Sequence, residues 1–357
     1  MSPDSRQSRR RDRRRPGLIL LAAAALLAAG MAPSHAAPGR EGQGPANFST
    51  AGYETAGFTT GYGSAEVFGR ASAARGGHSP EHRGGHGGGY GGGHGSGHGK
   101  GNRGVDYVAF GDSYASGFGG GPVLDVCGRT AQGYPALLDA LDRVELDGDV
   151  TCAGATAMTT PLDAPVDLPE QITDAAARGL LDLRTDAVTV TIGGNDVRFG
   201  AVVAACAGPQ LPATCAPAIQ ETEAFAQNVL APQLAAEFAR ITELAPRATL
   251  VVTGYPYLFE AGTPGPLSAE AQALFNAGTD ALNAVIASQV PADGVFVDVV
   301  DEFAGHGVGS PDSWIIFDLQ SPFNLHPTET GYREGYLAAI LADAGNEFQG
   351  QGCRGRR

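Results

Sequence analysis

Lysine is almost absent from this chain: it occurs once in 357 residues, as Lys100. With 24 Lys and Arg against 38 Asp and Glu, the formal net charge is −14. A surface of that sign repels phosphate backbones, which excludes nucleic-acid binding and tight docking on anionic headgroups. Tryptophan occurs once and aromatics make up 7% of the residues, so platforms for stacking sugars are few. The most apolar run, residues 18–29, has 12 residues, where a bilayer-crossing helix needs roughly 20. Cysteine is sparse, at five. Glycine, by contrast, is abundant, at 53 residues, so a short glycine-containing motif carries little weight alone.

The N-terminus reads as an export signal. Residues 9–15 are nearly all arginine, an apolar run follows, and Ala32-Pro33-Ser34-His35-Ala36 offers small residues for cleavage. Residues 1–36 are therefore expected to be removed and the protein secreted; the paired arginines also fit a twin-arginine signal. The segment holds seven Arg and two Asp, a net of +5, so the remainder is near −19. Residues 37–104 are Gly, Ser, Ala and His with few aliphatics, a composition that cannot offset its ordering entropy. They are expected to form a disordered linker. His78, His82, His86, His94 and His98 in this tract offer weak transition-metal ligands. No fixed coordination geometry is evident, so neither a metal nor a cofactor is expected.

From Val105 the texture changes to alternating strand and helix patterns. Strands are expected at 105–110, 187–192, 248–252 and 294–300. Helices are expected at 134–141, 168–183, 217–244 with a break near Pro232, 268–289 with Ser268 as N-cap, and 328–344. Strands alternating with helices imply βαβ units and a parallel sheet covered on both faces, and about 240 residues make one such domain. The domain is placed at 105–345, followed by a basic tail at 346–357. In an exported chain disulfides are permitted. Proximity suggests Cys127 with Cys152 and Cys206 with Cys215, although four cysteines allow three connectivities, and Cys353 is left over.

Four short segments carry the chemistry: Gly111-Asp112-Ser113-Tyr114, Cys152-Ala153-Gly154-Ala155-Thr156, Gly193-Gly194-Asn195-Asp196 and Leu325-His326-Pro327. Ser113 follows a buried strand and a glycine, which brings its hydroxyl to the rim of the sheet. A serine hydroxyl is a weak nucleophile and needs a base. Only two histidines fall in the folded region. His306 sits between two glycines, whereas His326 is restrained by the following Pro327, which favours His326 as general base. Gly154 lets a backbone N–H approach substrate closely, and Asn195 presents a side-chain amide. With the Ser113 N–H these make three donors for one oxyanion. Asp112 and Asp196 are expected to anchor their loops through local hydrogen bonds.

In order and content these residues resemble the SGNH hydrolases, also called the GDSL esterase/lipase family, and in particular its secreted actinobacterial members. The name's Ser, Gly, Asn and His fall on Ser113, Gly154, Asn195 and His326. The resemblance covers residues 105–345. It implies a flavodoxin-like three-layer α/β/α sandwich and ester hydrolysis through an acyl-serine, without a cofactor. Many members carry Asp three residues before the histidine; here Phe323 stands there. A dyad is therefore implied, with the Asn324 carbonyl fixing the imidazole and Asp318 as a rival.

The expected substrate is a small-molecule or lipid ester, met by a monomer in transient contact with a lipid interface. The acyl pocket is expected to come from loops at 117–124, 159–168 and 255–267. A carbohydrate O-deacetylase of the same fold is the alternative, or an inactive cell-surface or metal-binding module.

Overall fold

The computed structural model describes residues 104–160 and 166–349. The expected export signal, the Gly/His tract, Cys353 and the middle of the 159–168 loop lie outside the described residues. The sheet has five strands: β1 (Val105–Gly111), β2 (Val144–Asp149), β3 (Ala187–Thr191), β4 (Thr249–Thr253) and β5 (Val295–Val297). All neighbours are parallel, in the order β2-β1-β3-β4-β5. That is the flavodoxin-like order, whose direction of winding reverses between β1 and β3.

Burial explains which strands a sequence announces. Every residue of β3, and all of β1 except Asp106, is buried, because helices cover both faces of a parallel sheet. Both read as continuous apolar runs. β2 is an edge strand of sequence VELDGD, exposed at alternate positions, and its acidic residues hide it among loops. β5 is three residues long, shorter than the 294–300 expected.

The helices are α1 (Ser113–Ser116), α2 (Tyr134–Asp139), α3 (Leu168–Ala177), α4 (Phe199–Cys206), α5 (Cys215–Phe225), α6 (Ala231–Leu244), α7 (Ala269–Gln289) and α8 (Ala338–Ala344). On one face α2 packs against the π-helical turn Gly331–Leu337 that leads into α8. On the other, α3 packs on α6, α6 on α7, and α7 on α4 and α5, giving three layers. The break expected near Pro232 is a π-turn at Ala226–Leu230. Proline lacks an N–H, and the chain widens one turn just ahead of it rather than ending the helix. α3 stops at Ala177 rather than continuing to 183, ahead of Gly179 at φ +71°. α4, made of small apolar residues, has no counterpart among the expected helices. Ser268 caps α7, its side chain accepting from the Ala271 N–H.

Disulfides join Cys127 to Cys152 and Cys206 to Cys215. The fold runs past residue 345 through a last 3-10 turn, Gly345–Phe348, whose Phe348 ring packs edge-on against Tyr107 at 5.4 Å.

Candidate active site

Ser113, Gly154 and Asn195 lie on the segments leaving the carboxyl ends of β1, β2 and β3. Ligands of such sheets bind beyond these ends, where the winding reverses. At the end of β1 the chain must pass close to β3. Gly111 has φ +128°, and a Cβ there would stand 2.2 Å from the Thr191 carbonyl, so no other residue fits. Asp112 then caps α1, its Oδ1 accepting from the Tyr114 N–H at 2.9 Å, and Ser113 opens the helix.

His326 reaches Ser113 from 213 residues away. Its Nε2 lies 2.8 Å from Ser113 Oγ, and its Nδ1 lies 3.0 Å from the Asn324 carbonyl. A carbonyl only accepts, so the proton sits on Nδ1 and Nε2 accepts from the serine hydroxyl. Asp318 does not take the carbonyl's place: it is exposed, and its Oδ1 accepts from the Gln320 N–H. Leu325, just before the histidine, has φ +64°, a strained value for leucine, and its carbonyl accepts from the Tyr114 hydroxyl at 2.6 Å. The imidazole lies between the rings of Tyr114 and Phe118, at 5.3 and 5.1 Å.

Gly154 lies on the loop after β2 with φ +88°, exposed to solvent. Two bonds tie this loop to the one after β3. Asn195 Nδ2 donates to the Ala155 carbonyl at 2.9 Å, and the Asp196 carboxylate accepts from the Ala157 N–H at 2.9 Å. The Asn195 amide carries a second N–H. Behind the loop, Asp167 accepts from the Thr156 N–H at 2.8 Å, and the Cys127–Cys152 disulfide holds its start.

Two tyrosines, Tyr114 beside the serine and Tyr255 after β4, tie the site together. The Tyr255 hydroxyl donates to Asp112 Oδ2 at 2.5 Å and accepts from the Gly194 N–H at 2.9 Å. Asn283 fixes Tyr255 through its backbone on both sides, at 2.9 Å each. Tyr114 bonds the histidine loop, as above. The serine, asparagine and histidine segments are thus linked by buried polar contacts through Asp112. Its anchoring is local toward Tyr114, as expected, and also long-range toward Tyr255. The only sequence signal for Tyr255 is its position just after an apolar strand.

Burial sets the electrostatics. It pushes the His326 pKa down to about 4, against the opposing pull of the Asn324 and Phe323 backbone carbonyls. The imidazole is therefore neutral at neutral pH, the state able to accept a proton. Burial also raises Asp112 to about 7, opposed by the bonds from Tyr255 and Tyr114. Burial raises Asp196 to about 6, opposed by the Ala157 N–H. Among the described residues no cluster of three or more His, Cys, Asp or Glu is placed to hold a metal.

The model of the GDSL-like lipase/acylhydrolase family matches residues 109–334, so the chain belongs to that family and is a carboxylic ester hydrolase. A lipase of Streptomyces rimosus is 34% identical over 243 residues, covering 66% of this chain and 85% of that protein. Lipase 1 of Streptomyces coelicolor is 32% identical over 241 residues, with the same coverage. Among solved structures, the extracellular lipase of S. rimosus superposes with a TM-score of 0.57 at 32% identity, covering 67% of this chain and 99% of that one. The phospholipase A1 of Streptomyces albidoflavus NA297 superposes at 0.58 with 30% identity, covering 68% and 100%.

Proposed function

We propose that this protein is a secreted lipase or esterase working through an acyl-Ser113 intermediate. His326 takes the Ser113 proton as the oxygen attacks the ester carbonyl. The N–H groups of Ser113 and Gly154 and the Asn195 amide receive the oxyanion. His326 then protonates the leaving alcohol and activates water for deacylation. The Asn324 carbonyl keeps the imidazole in the correct tautomer. The observation that carries this reading is the continuous chain from the Ser113 hydroxyl through His326 to the Asn324 carbonyl, at 2.8 and 3.0 Å.

Lipid-like esters are favoured as substrates. The relatives named lipase and phospholipase A1 support this, as do exposed apolar side chains on the segments that follow Ser113 and precede His326. Val126 on the segment after Ser113 is 94% exposed, and Leu319 before His326 is 67% exposed. Such residues suit brief contact with a lipid aggregate, where the acidic surface opposes lasting adhesion. All the groups invoked come from one chain, which acts as a monomer. The export signal at residues 1–36 and two disulfides support an extracellular site of action.

The test is hydrolysis of p-nitrophenyl esters from acetate to palmitate by the mature protein and its Ser113→Ala variant. The variant is expected to lose roughly a thousandfold or more in kcat. Equal rates in the two proteins would remove Ser113 from the role.

A further inference from the structure

We infer that the acyl chain of the substrate enters an apolar channel between α4, α5 and α7, an assignment that rests on Ser113 being the residue acylated. Two cavities lie there. The inner one, of about 40 Å³, has Tyr114 and Gly194 in its wall, the immediate chain neighbours of Ser113 and Asn195. The outer one, of about 50 Å³, extends past Val202 and Ile219 to the half-buried Thr222 and Glu223. Phe199, Phe275, Thr279 and Leu282 line both, so the outer cavity continues the inner one.

The wall chemistry selects hydrocarbon. Polar groups in the inner wall are already bonded within the protein: the Gly194 N–H to Tyr255, the Tyr114 hydroxyl to Leu325, and the Thr279 hydroxyl to the Phe275 carbonyl. A polar ligand would find no partner there, whereas each methylene moved from water onto this wall is favoured. The Cys206–Cys215 disulfide bridges α4 and α5 and so fixes two of the channel's three walls relative to each other. Of the loops expected to form the pocket, 255–267 contributes among the described residues, through Tyr255, Pro256 and Leu258. A narrow space of this kind suits an unbranched hydrocarbon tail, with the ester carbonyl at Ser113 and the tail running toward Thr222.

Gly278 on α7 is the place to fill it. A Cβ there would meet Ile219 at 3.4 Å, an ordinary contact, with cavity beyond. In Gly278→Leu the ratio of kcat/KM for p-nitrophenyl octanoate to that for the acetate is expected to fall at least tenfold. Thr222→Phe, on the channel's outer end, reads the same ratio for palmitate should the first variant fail to fold. A ratio unchanged within twofold, or an equal loss on both esters, overturns the channel. Calorimetric binding of octanoate to Ser113→Ala, with and without Gly278→Leu, separates the two ideas. Binding that Gly278→Leu abolishes supports the channel even if the wild type hydrolyses no ester. Binding that Gly278→Leu leaves intact refutes it, whatever the esterase assays give.

Discussion

At the scale of single residues, the His326 imidazole is oriented by main chain instead of by an acid. Asp318 is exposed and bonded to Gln320, so Asp318→Asn is expected to lower kcat less than tenfold; a thousandfold loss would restore a displaced triad. Because burial holds the His326 pKa near 4, the acid limb of kcat/KM is expected below the value of about 6.5 for free imidazole. A rate that halves at pH 6.5 or above would contradict this. Residue chemistry was readable in part. Ser113 and His326 stood out because two histidines in the folded region leave few pairings, and the Phe323 substitution pointed to a backbone acceptor. Tyr114 and Tyr255 did not, because a buried tyrosine and a network tyrosine are written alike. Only the fold reveals that Tyr255 bonds Asp112 across 143 residues.

At the scale of elements, the loop after β2 brings Gly154 to the rim of the sheet without regular structure of its own. Hydrogen bonds from Asn195, to Asp196 and to Asp167, together with the Cys127–Cys152 disulfide, hold it. That disulfide closes a segment with a sequence separation of 25. Replacing both cysteines by serine is expected to cost roughly 3 kcal/mol in denaturant unfolding. It is also expected to lower kcat more than it raises KM, because Gly154 loses its fixed position. A variant with unchanged kcat would mean the hydrogen bonds suffice. Elements buried on both faces, such as β1 and β3, were legible as apolar runs. β2 was not, since an edge strand has one row of side chains in water and here carries acids. α4 was not either, because eight residues of small apolar type fit neither a helical stripe nor a strand.

At the scale of the whole molecule, buried acids set the pH dependence of stability. The folded Asp112 titrates near 7 and the unfolded one near 3.8, so the folded state holds the proton longer and loses stability as pH rises through that interval. Asp196 acts in the same direction up to about 6. His326 acts oppositely: between about 4 and 6.5 the unfolded chain binds more protons, so acid destabilises the fold. Above 6.5 the Asp112 contribution outweighs what is left of His326, and unfolding free energy is expected to be higher at pH 6.5 than at pH 8 by about half a kcal/mol. Asp112→Asn should flatten that slope; an unchanged slope would assign it to other groups. The parallel sheet itself followed from the alternation of strand and helix, while its order, and hence the convergence of three loops on one rim, required the fold.

That convergence has a temporal side. Ser113 and His326 are 213 residues apart, and α8 comes later still. A ribosome adding about 5–20 residues per second leaves Ser113 without His326 for roughly 10–40 s. A partly synthesised chain therefore carries the serine but not the imidazole that bonds it, and the pair on which the proposed activity depends exists only after most of the domain has been made.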